Sequence, residues 1–222
     1  MNEESFFIGN DFERVPQEKL EALKAYGACI AADAMKGFNA MDGRIRTIQD
    51  GHTVCGCAVT VRLRQGDNLL LHRAIELARP GDVLVIDTCG DMRYAAFGGN
   101  MSLAAFSKGI AAMIVDGAVR DVEELRENGY AVFAAATISN TGDTEGPGMI
   151  NQPISCGNVP VLPGDVILAD DNGVTVVPQK WLDFVLEGCE KKQKADLHRA
   201  EEIRAGKLVA DRLKEKLEKL GC

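Results

Sequence analysis

The sequence predicts an α/β protein in which parallel strands alternate with helices, a smaller all-β layer follows, and further helices stand at both ends. Three observations carry this. Between residues 53 and 136, apolar runs of strand length alternate with stretches of helical periodicity, the pattern of βαβ units. From Pro147 the texture changes to Gly, Pro and Asn turns between short Val-rich runs. Beyond Pro178 the chain is charged and helical to Cys222.

In chain order, Pro16 can open a helix at its first position, with Leu20 and Leu23 on one apolar face as far as Tyr26. Gly27 interrupts it, and Ile30, Ala31 and Ala34 carry a second short helix. Thr53 to Leu63 reads as a strand, Asp67 to Ala78 as a helix, and Val83 to Ile86, after the Pro80-Gly81-Asp82 turn, as a buried strand. Asn100 to Lys108 is helical and Gly109 ends it; Ile110 to Val115 is a strand and Asp116 to Asp121 a turn. Val122 to Glu127 is a helix closed by Asn128-Gly129, and Ala131 to Ala136 a strand. Val159 to Leu162, Val166 to Ala169 and Val174 to Val177 form the β layer. Asp170-Asp171-Asn172-Gly173 resembles half a calcium loop but lacks the distal Glu, so a hairpin turn is expected. The C-terminal helix should break at Gly206.

The chain has 222 residues, 46% hydrophobic and 26% charged, with Lys+Arg 25 against Asp+Glu 33 and a net charge of -8. That is enough apolar residue for a buried core and excludes disordered, collagen-like and purely coiled-coil chains. The negative charge argues against a nucleic-acid partner, because phosphate binding needs a basic surface. Met1-Asn2-Glu3-Glu4-Ser5 is acidic and shows no signal pattern, and no apolar run approaches the roughly 20 residues of a membrane span. A soluble, cytoplasmic protein with no membrane partner is expected. Seven scattered cysteines fit reduced thiols. Cys55 and Cys57 should share a strand face, but two ligands without a second pair do not make a zinc site.

Chemistry concentrates in Gly98-Gly99-Asn100-Met101 and Arg120-Asp121. In a parallel α/β unit both stretches lie at the carboxyl edge of the sheet, where ligands bind. Gly98 and Gly99 open a helix whose free N–H groups can hold a carboxylate or phosphate. Arg120 offers a planar fork for a carboxylate or polarised ketone, and Asp121 a hard oxygen ligand for Mg²⁺. The same residues can also be ordinary turn glycines, a helix-start acid and a surface ion pair. Neither GxGxxG nor GxxxxGK[ST] is present. His72 reads as a structural or surface histidine, and His52 and His198 show no triad partner. Asp33, Asp87 and Asp116 read as caps or as lining of the site.

Asp33-Ala34-Met35, Asp42-Gly43-Arg44-Ile45, Cys57-Ala58-Val59-Thr60-Val61, Gly66-Asp67-Asn68, Pro80-Gly81-Asp82-Val83-Leu84-Val85, Asp116-Gly117-Ala118-Val119-Arg120-Asp121, Pro163-Gly164-Asp165-Val166 and Asp170-Asp171-Asn172-Gly173-Val174 resemble, in order, the RraA-like family. That family holds metal-dependent 4-hydroxy-4-methyl-2-oxoglutarate and 4-carboxy-4-hydroxy-2-oxoadipate aldolases and a regulator of ribonuclease activity. The resemblance implies an α/β/β sandwich of the swivelling β/β/α type, assembled as a trimer or hexamer with the site between subunits. It divides the chain into N-terminal helices (1–38), the core (39–178) and a C-terminal helical arm (179–222).

By the same resemblance Arg120 binds the pyruvyl carboxylate and ketone of a small 2-oxo acid. Asp121 holds Mg²⁺ or Mn²⁺, and the backbone of Gly98, Gly99, Asn100 and Met101 holds substrate. A class II-type pyruvate aldolase or oxaloacetate decarboxylase-like lyase follows, because both reactions pass through a pyruvate enolate. Gly99 stands where well-marked aldolases of the family carry an acid, and Glu124 is the acid three residues past Asp121. The family's aldolases also take an acidic group from a neighbour's arm, for which Asp196, Glu201 and Glu202 are candidates. The alternative is a non-catalytic regulator that binds a ribonuclease or helicase partner.

Overall fold

The structure, a computed structural model, describes residues 6–222, so the acidic Met1 to Ser5 stretch lies outside the described residues. The elements run β1 (Phe6–Ile8), α1 (Gln17–Lys24), α2 (Gly27–Ala34), β2 (Arg46–Thr47), β3 (Val54–Leu63), α3 (Leu69–Leu77), β4 (Val83–Asp87), β5 (Ala95–Phe97) and α4 (Gly99–Ser107). They continue with β6 (Ala112–Val119), α5 (Val122–Glu127), β7 (Val132–Thr137), β8 (Gly148–Ile150), β9 (Ile154–Cys156), β10 (Val159–Val161), β11 (Val166–Asp170), β12 (Gly173–Val177), α6 (Leu182–Arg204) and α7 (Asp211–Lys219).

One strand couples two layers. The second half of β3, Ala58 to Arg62, pairs parallel with β4, whereas its first half, Val54 to Cys57, pairs antiparallel with β11. The main path runs β1-β8-β3-β4-β6-β7-β2, with β3, β4, β6 and β7 parallel, and the β11–β12 hairpin branches from β3 to form the second layer. Period-two alternation then decides which core each side chain joins. Val59, Val61 and Leu63 pack beneath α3, α4 and α5 with Leu71, Ala105 and Leu125. Ala58, Val85, Ile114 and Phe133 face Ile167 and Val176 between the layers. Leu168 and Val177 point the other way, onto Leu20, Leu23, Ala31 and Val185 of the terminal helices.

The α/β/β arrangement is therefore present, and α1, α2 and α6 cover the outer face of the second layer. Pro16 stands at the head of α1, Gly27 (φ 78°) starts α2, and Gly206 lies between α6 and α7. Cys55 and Cys57 do share a face, toward the α1–α2 core. Burial pushes the Cys55 thiol up to about 12 and raises that of Cys57 as well, so both are held as thiols.

One boundary is corrected. Residues 116–119 are not turn but the end of β6, all eight of whose residues are buried. β4 stops at Asp87, opposite Asp116, and β5 takes over as the neighbour of Ala118 and Val119. A polar Asp116 is accommodated there because it accepts bonds from Arg44 Nη2 (2.9 Å) and the Gly157 N–H (2.8 Å). The strands β1, β2, β5, β8 and β9 have only two or three residues each, too few for alternation to show in sequence.

Asp67 ties the start of α3 to a distant loop. Its buried carboxylate accepts from the N–H groups of Leu69 (2.9 Å), Glu145 (2.7 Å) and Gly146 (2.8 Å). Asp67→Ala leaves these donors unpaired, and a loss of about 2–4 kcal/mol is expected in denaturant unfolding. An unchanged midpoint would show that the loop is held by other contacts.

Candidate functional site

Three successive strand-to-helix turns converge at the carboxyl edge of the sheet. The β3–α3 turn brings Asn68 and, one helical turn on, His72. The β5–α4 turn brings Gly98, Asn100 and Met101, and the β6–α5 turn brings Arg120 and Asp121. Together with Thr141 and Thr144 from the loop that Asp67 anchors, they enclose a cavity of about 230 Å³. That is below the roughly 300 Å³ at which pockets for drug-sized ligands begin, and suits a small metabolite.

The geometry of Asp121 organises the site. It precedes α5 in the left-handed region (φ 58°, ψ 42°), a conformation that Asp tolerates better than most residues. The carboxylate makes no capping bond to its own helix and instead reaches across to α4, where Oδ2 accepts the Gly99 N–H at 3.0 Å. Arg120 Nε lies 3.5 Å from the same oxygen. The second oxygen accepts no hydrogen bond among the described residues, and the side chain is 42% exposed. Arg120 itself is anchored through its backbone N–H to the Phe97 carbonyl (3.1 Å), which leaves the guanidinium at the cavity.

This approach requires glycine. A Cβ on Gly98 would stand 2.2 Å from Asp121 Oδ2 and 2.8 Å from Arg120 Cγ. On the next residue, a Cβ on Gly99 would stand 2.0 Å from Glu124 Oε2, so the Glu124 carboxylate occupies the space in which a side chain at 99 would lie. The first intrahelical bond of α4 runs from the Ser102 N–H to the Gly98 carbonyl (3.0 Å). The amides of Asn100 and Met101 precede it and are donors without helical partners.

Arg120, Asp121, Gly98, Asn100 and Met101 thus lie around one cavity, while Gly99 is buried behind it and contributes its N–H to Asp121. Among the described residues, no group of three or more His, Cys, Asp or Glu side chains could hold a metal. Asp121, with Glu124 against the neighbouring glycine, instead fits a hard cation that keeps most of its waters and takes one or two carboxylates, as Mg²⁺ and Mn²⁺ do. Asp33 pairs with Lys192 on the surface. Asp87 accepts the Cys89 N–H beside Arg62, and burial raises its carboxyl above the ordinary value. Neither lines the cavity, and nor does Asp116. Asp196 and Glu202 are engaged by Lys192, Arg199 and Lys207 within the arm, and Glu201 alone of the three has no such pair among the described residues.

The model of the family "RraA-like: Aldolase/RraA" matches residues 28–176, about two thirds of the chain. The chain belongs to the RraA-like family. A protein of Halalkalibacterium halodurans named putative 4-hydroxy-4-methyl-2-oxoglutarate aldolase is 40% identical over 168 residues, 76% of this chain and 80% of that one. The 4-hydroxy-4-methyl-2-oxoglutarate aldolase of Thermus thermophilus is 37% identical over 142 residues, 64% of this chain and 82% of the relative. Among solved structures, the RNA-processing inhibitor RraA from Thermus thermophilus superposes with a TM-score of 0.63 at 33% identity, covering 68% of this chain and 92% of that one. The RraA-like family thus includes relatives named for catalysis and a relative named for inhibition, both resembling this chain.

The rest of the cavity lining was not legible as a site in the sequence. Thr141 and Thr144 carry no motif, and His72 reads as structural because its neighbours in space come from other elements. Gly66-Asp67-Asn68, one of the stretches that resemble the RraA-like family, was the available signal.

Gly98→Ala should displace both Arg120 and Asp121 while leaving the core unchanged. In whichever ligand-binding or turnover assay the wild type supports, a loss of about a hundredfold is expected at nearly unchanged Tm. Full retention would mean that the close approach is not needed for function.

Proposed function

We propose that this RraA-like protein is a divalent-metal-dependent lyase that cleaves small 2-oxo acids, as an aldolase or decarboxylase, through a pyruvate enolate. The observation that carries this reading is the joint placement of one guanidinium, one exposed carboxylate and two unpartnered helix-start amides around a cavity of metabolite size. The names of the 37% and 40% identical relatives support the same substrate class.

In this reading Arg120 holds the substrate carboxylate and the 2-keto oxygen with its planar fork, and the Asn100 and Met101 amides hold the remaining carboxylate oxygen. Asp121, supported by Glu124, would hold Mg²⁺ or Mn²⁺, which when bound supplies Lewis-acid stabilisation of developing negative charge. Arg120 carries the protein's own share of that task. As the bond beyond C3 breaks, negative charge grows on the 2-keto oxygen, and a preformed cation stabilises it more than it stabilises the neutral ketone.

Pyruvate release from 4-hydroxy-4-methyl-2-oxoglutarate or oxaloacetate, with and without chelator, tests this. Wild-type turnover should disappear with chelator and return with Mg²⁺ or Mn²⁺, and Asp121→Ala should lose about two to four orders of magnitude in kcat/KM. Turnover that ignores chelator, or wild type no better than Asp121→Ala, would refute it. The second reading, a regulator that binds a ribonuclease or helicase, rests on the 33% identity to the RNA-processing inhibitor and predicts a partner captured specifically by the wild-type chain.

We further propose a homo-oligomer, trimer or hexamer, built on the core (39–178) with the N-terminal helices (1–38) and the arm (179–222). Leu213 and Leu217 on α7 and Leu220 just past its end follow helical spacing, and all three are exposed, with no α7 residue buried. Arg120 and Asp121 also border an open depression of about 660 Å³ beside Arg126 and Ser139, room that a group from a neighbouring subunit could fill. Leu213→Glu with Leu217→Glu should lower the mass measured by light scattering; an unchanged assembly would sever the arm from oligomer formation.

A further inference from the structure

The cavity that Arg120 and Asp121 line is also lined by Asn68, the capping residue of α3, and by His72, four residues on along the same helix face. This lining is polar and incompletely satisfied. The Asn68 amide oxygen is buried with no hydrogen-bond partner, because Asp67 takes over the bonding at the start of α3 that Asn68, as the capping residue, would ordinarily make. His72 makes no hydrogen bond or ion pair with any described residue, and Thr141 and Thr144 close the wall with hydroxyls. No lysine and no further arginine lines the cavity.

Retro-aldol cleavage needs something that decarboxylation does not. To open the C3–C4 bond of a 4-hydroxy-2-oxo acid, a base must take the proton of the C4 hydroxyl. Loss of CO₂ from a 3-carboxy-2-oxo acid removes no proton from a hydroxyl. Of the side chains lining the cavity, Arg120 stays protonated and Asp121 is engaged by the Gly99 N–H, Arg120 and, in the proposed function, the metal. Histidine is the side chain type that takes and returns protons near neutrality.

We infer that His72 is the general base of aldol cleavage, acting on the C4 hydroxyl of a substrate held at Arg120, with Asn68 positioning that hydroxyl. This rests on the reading of the cavity as a 2-oxo acid site. An imidazole nitrogen takes the hydroxyl proton and the O–H pair becomes the C4 carbonyl. The C3–C4 pair passes into the C2–C3 enolate, whose oxygen lies at Arg120. The carbonyl fragment departs, the enolate takes a proton from water at C3 to give the methyl group of pyruvate, as it also would after decarboxylation, and the imidazolium returns its proton to the hydroxide so formed. Every atom and charge is accounted for without an oxidant or any reactant beyond water. The side chain is exposed on the α3 surface, so its replacement leaves the packing intact.

The test compares two reactions in the same preparations of full-length protein loaded with Mg²⁺. His72→Gln should lower kcat for pyruvate release from 4-hydroxy-4-methyl-2-oxoglutarate by about 10²–10⁴-fold, while oxaloacetate decarboxylation stays within about threefold. Asn68→Ala should lower the first reaction more than the second, and His72→Ala should regain cleavage when imidazole is added. Equal loss of both reactions in His72→Gln at unchanged Tm, or retention of cleavage, would overturn the role of His72. Wild type that decarboxylates but does not cleave would overturn it too, yet leave a metal-dependent lyase standing. Wild type inactive on both substrates would refute both readings.

Discussion

The site depends on one close approach, between the exit of β6 and the first turn of α4. Asp121 leaves its own helix uncapped and places its carboxylate on the Gly99 N–H, over a Cα at position 98 that carries no side chain. A helix start is an electropositive end, so an anion there is stabilised by the unpaired amides and by the helix dipole. The same bond holds the carboxylate of a left-handed Asp121 beside Arg120, whose backbone is tied separately to Phe97. These two ties between the β5–α4 and β6–α5 turns bring a cation, two carboxylates and two free amides together.

That approach in turn depends on the strand order. β4 ends at Asp87, opposite Asp116 and three residues before β6 ends, and β5 enters the vacated place beside Ala118 and Val119. Only then do the β5–α4 and β6–α5 turns lie side by side. The third turn, from β3, is brought in by the Asp67 carboxylate, whose bonds to Glu145 and Gly146 draw the 141–147 loop against α3. The second layer acts more remotely. It holds the first half of β3 to β11 and buries Ala58, Ile114 and Phe133, so the edge on which the turns sit is backed by a core on both faces.

How much of this was legible in sequence differs by element. The alternating segments from β3 to β7 were readable because each is long enough for its period to show, and Arg120, Asp121 and the glycines because their chemistry is local. The extent of β6 was not: Asp116 and Gly117 look like a turn, and only Arg44 and the Gly157 amide, both far along the chain, make a buried Asp116 tolerable. The relation of Glu124 to Gly99 came from the resemblance to the RraA-like family, beside the reading of Glu124 as a solvated helix residue, and the observed contact follows from α4 and α5 lying together. His72 reads in the sequence as structural or surface, and Asn68 only as part of a motif, because nothing in a sequence says that α3 turns its first face toward this cavity.

The proposed function asks an acidic chain to hold an acidic ligand, and the placement of its charges bears on how. With a net charge of -8, the long-range field opposes the approach of any anion. The cavity answers at short range, through Arg120 and amides that cost nothing to reorganise because the helix has already aligned them. Several carboxylates are neutralised by cations away from the cavity: Asp116 by Arg44, Asp82 by Arg14, Asp196 by Lys192 and Glu202 by Arg199 and Lys207. Asp121 is shared instead between an amide and a guanidinium that belong to the site, and one of its oxygens stays open. In the proposed function that open oxygen, beside a guanidinium and free helix-start amides, is what distinguishes Arg120 and Asp121 from an ordinary surface ion pair.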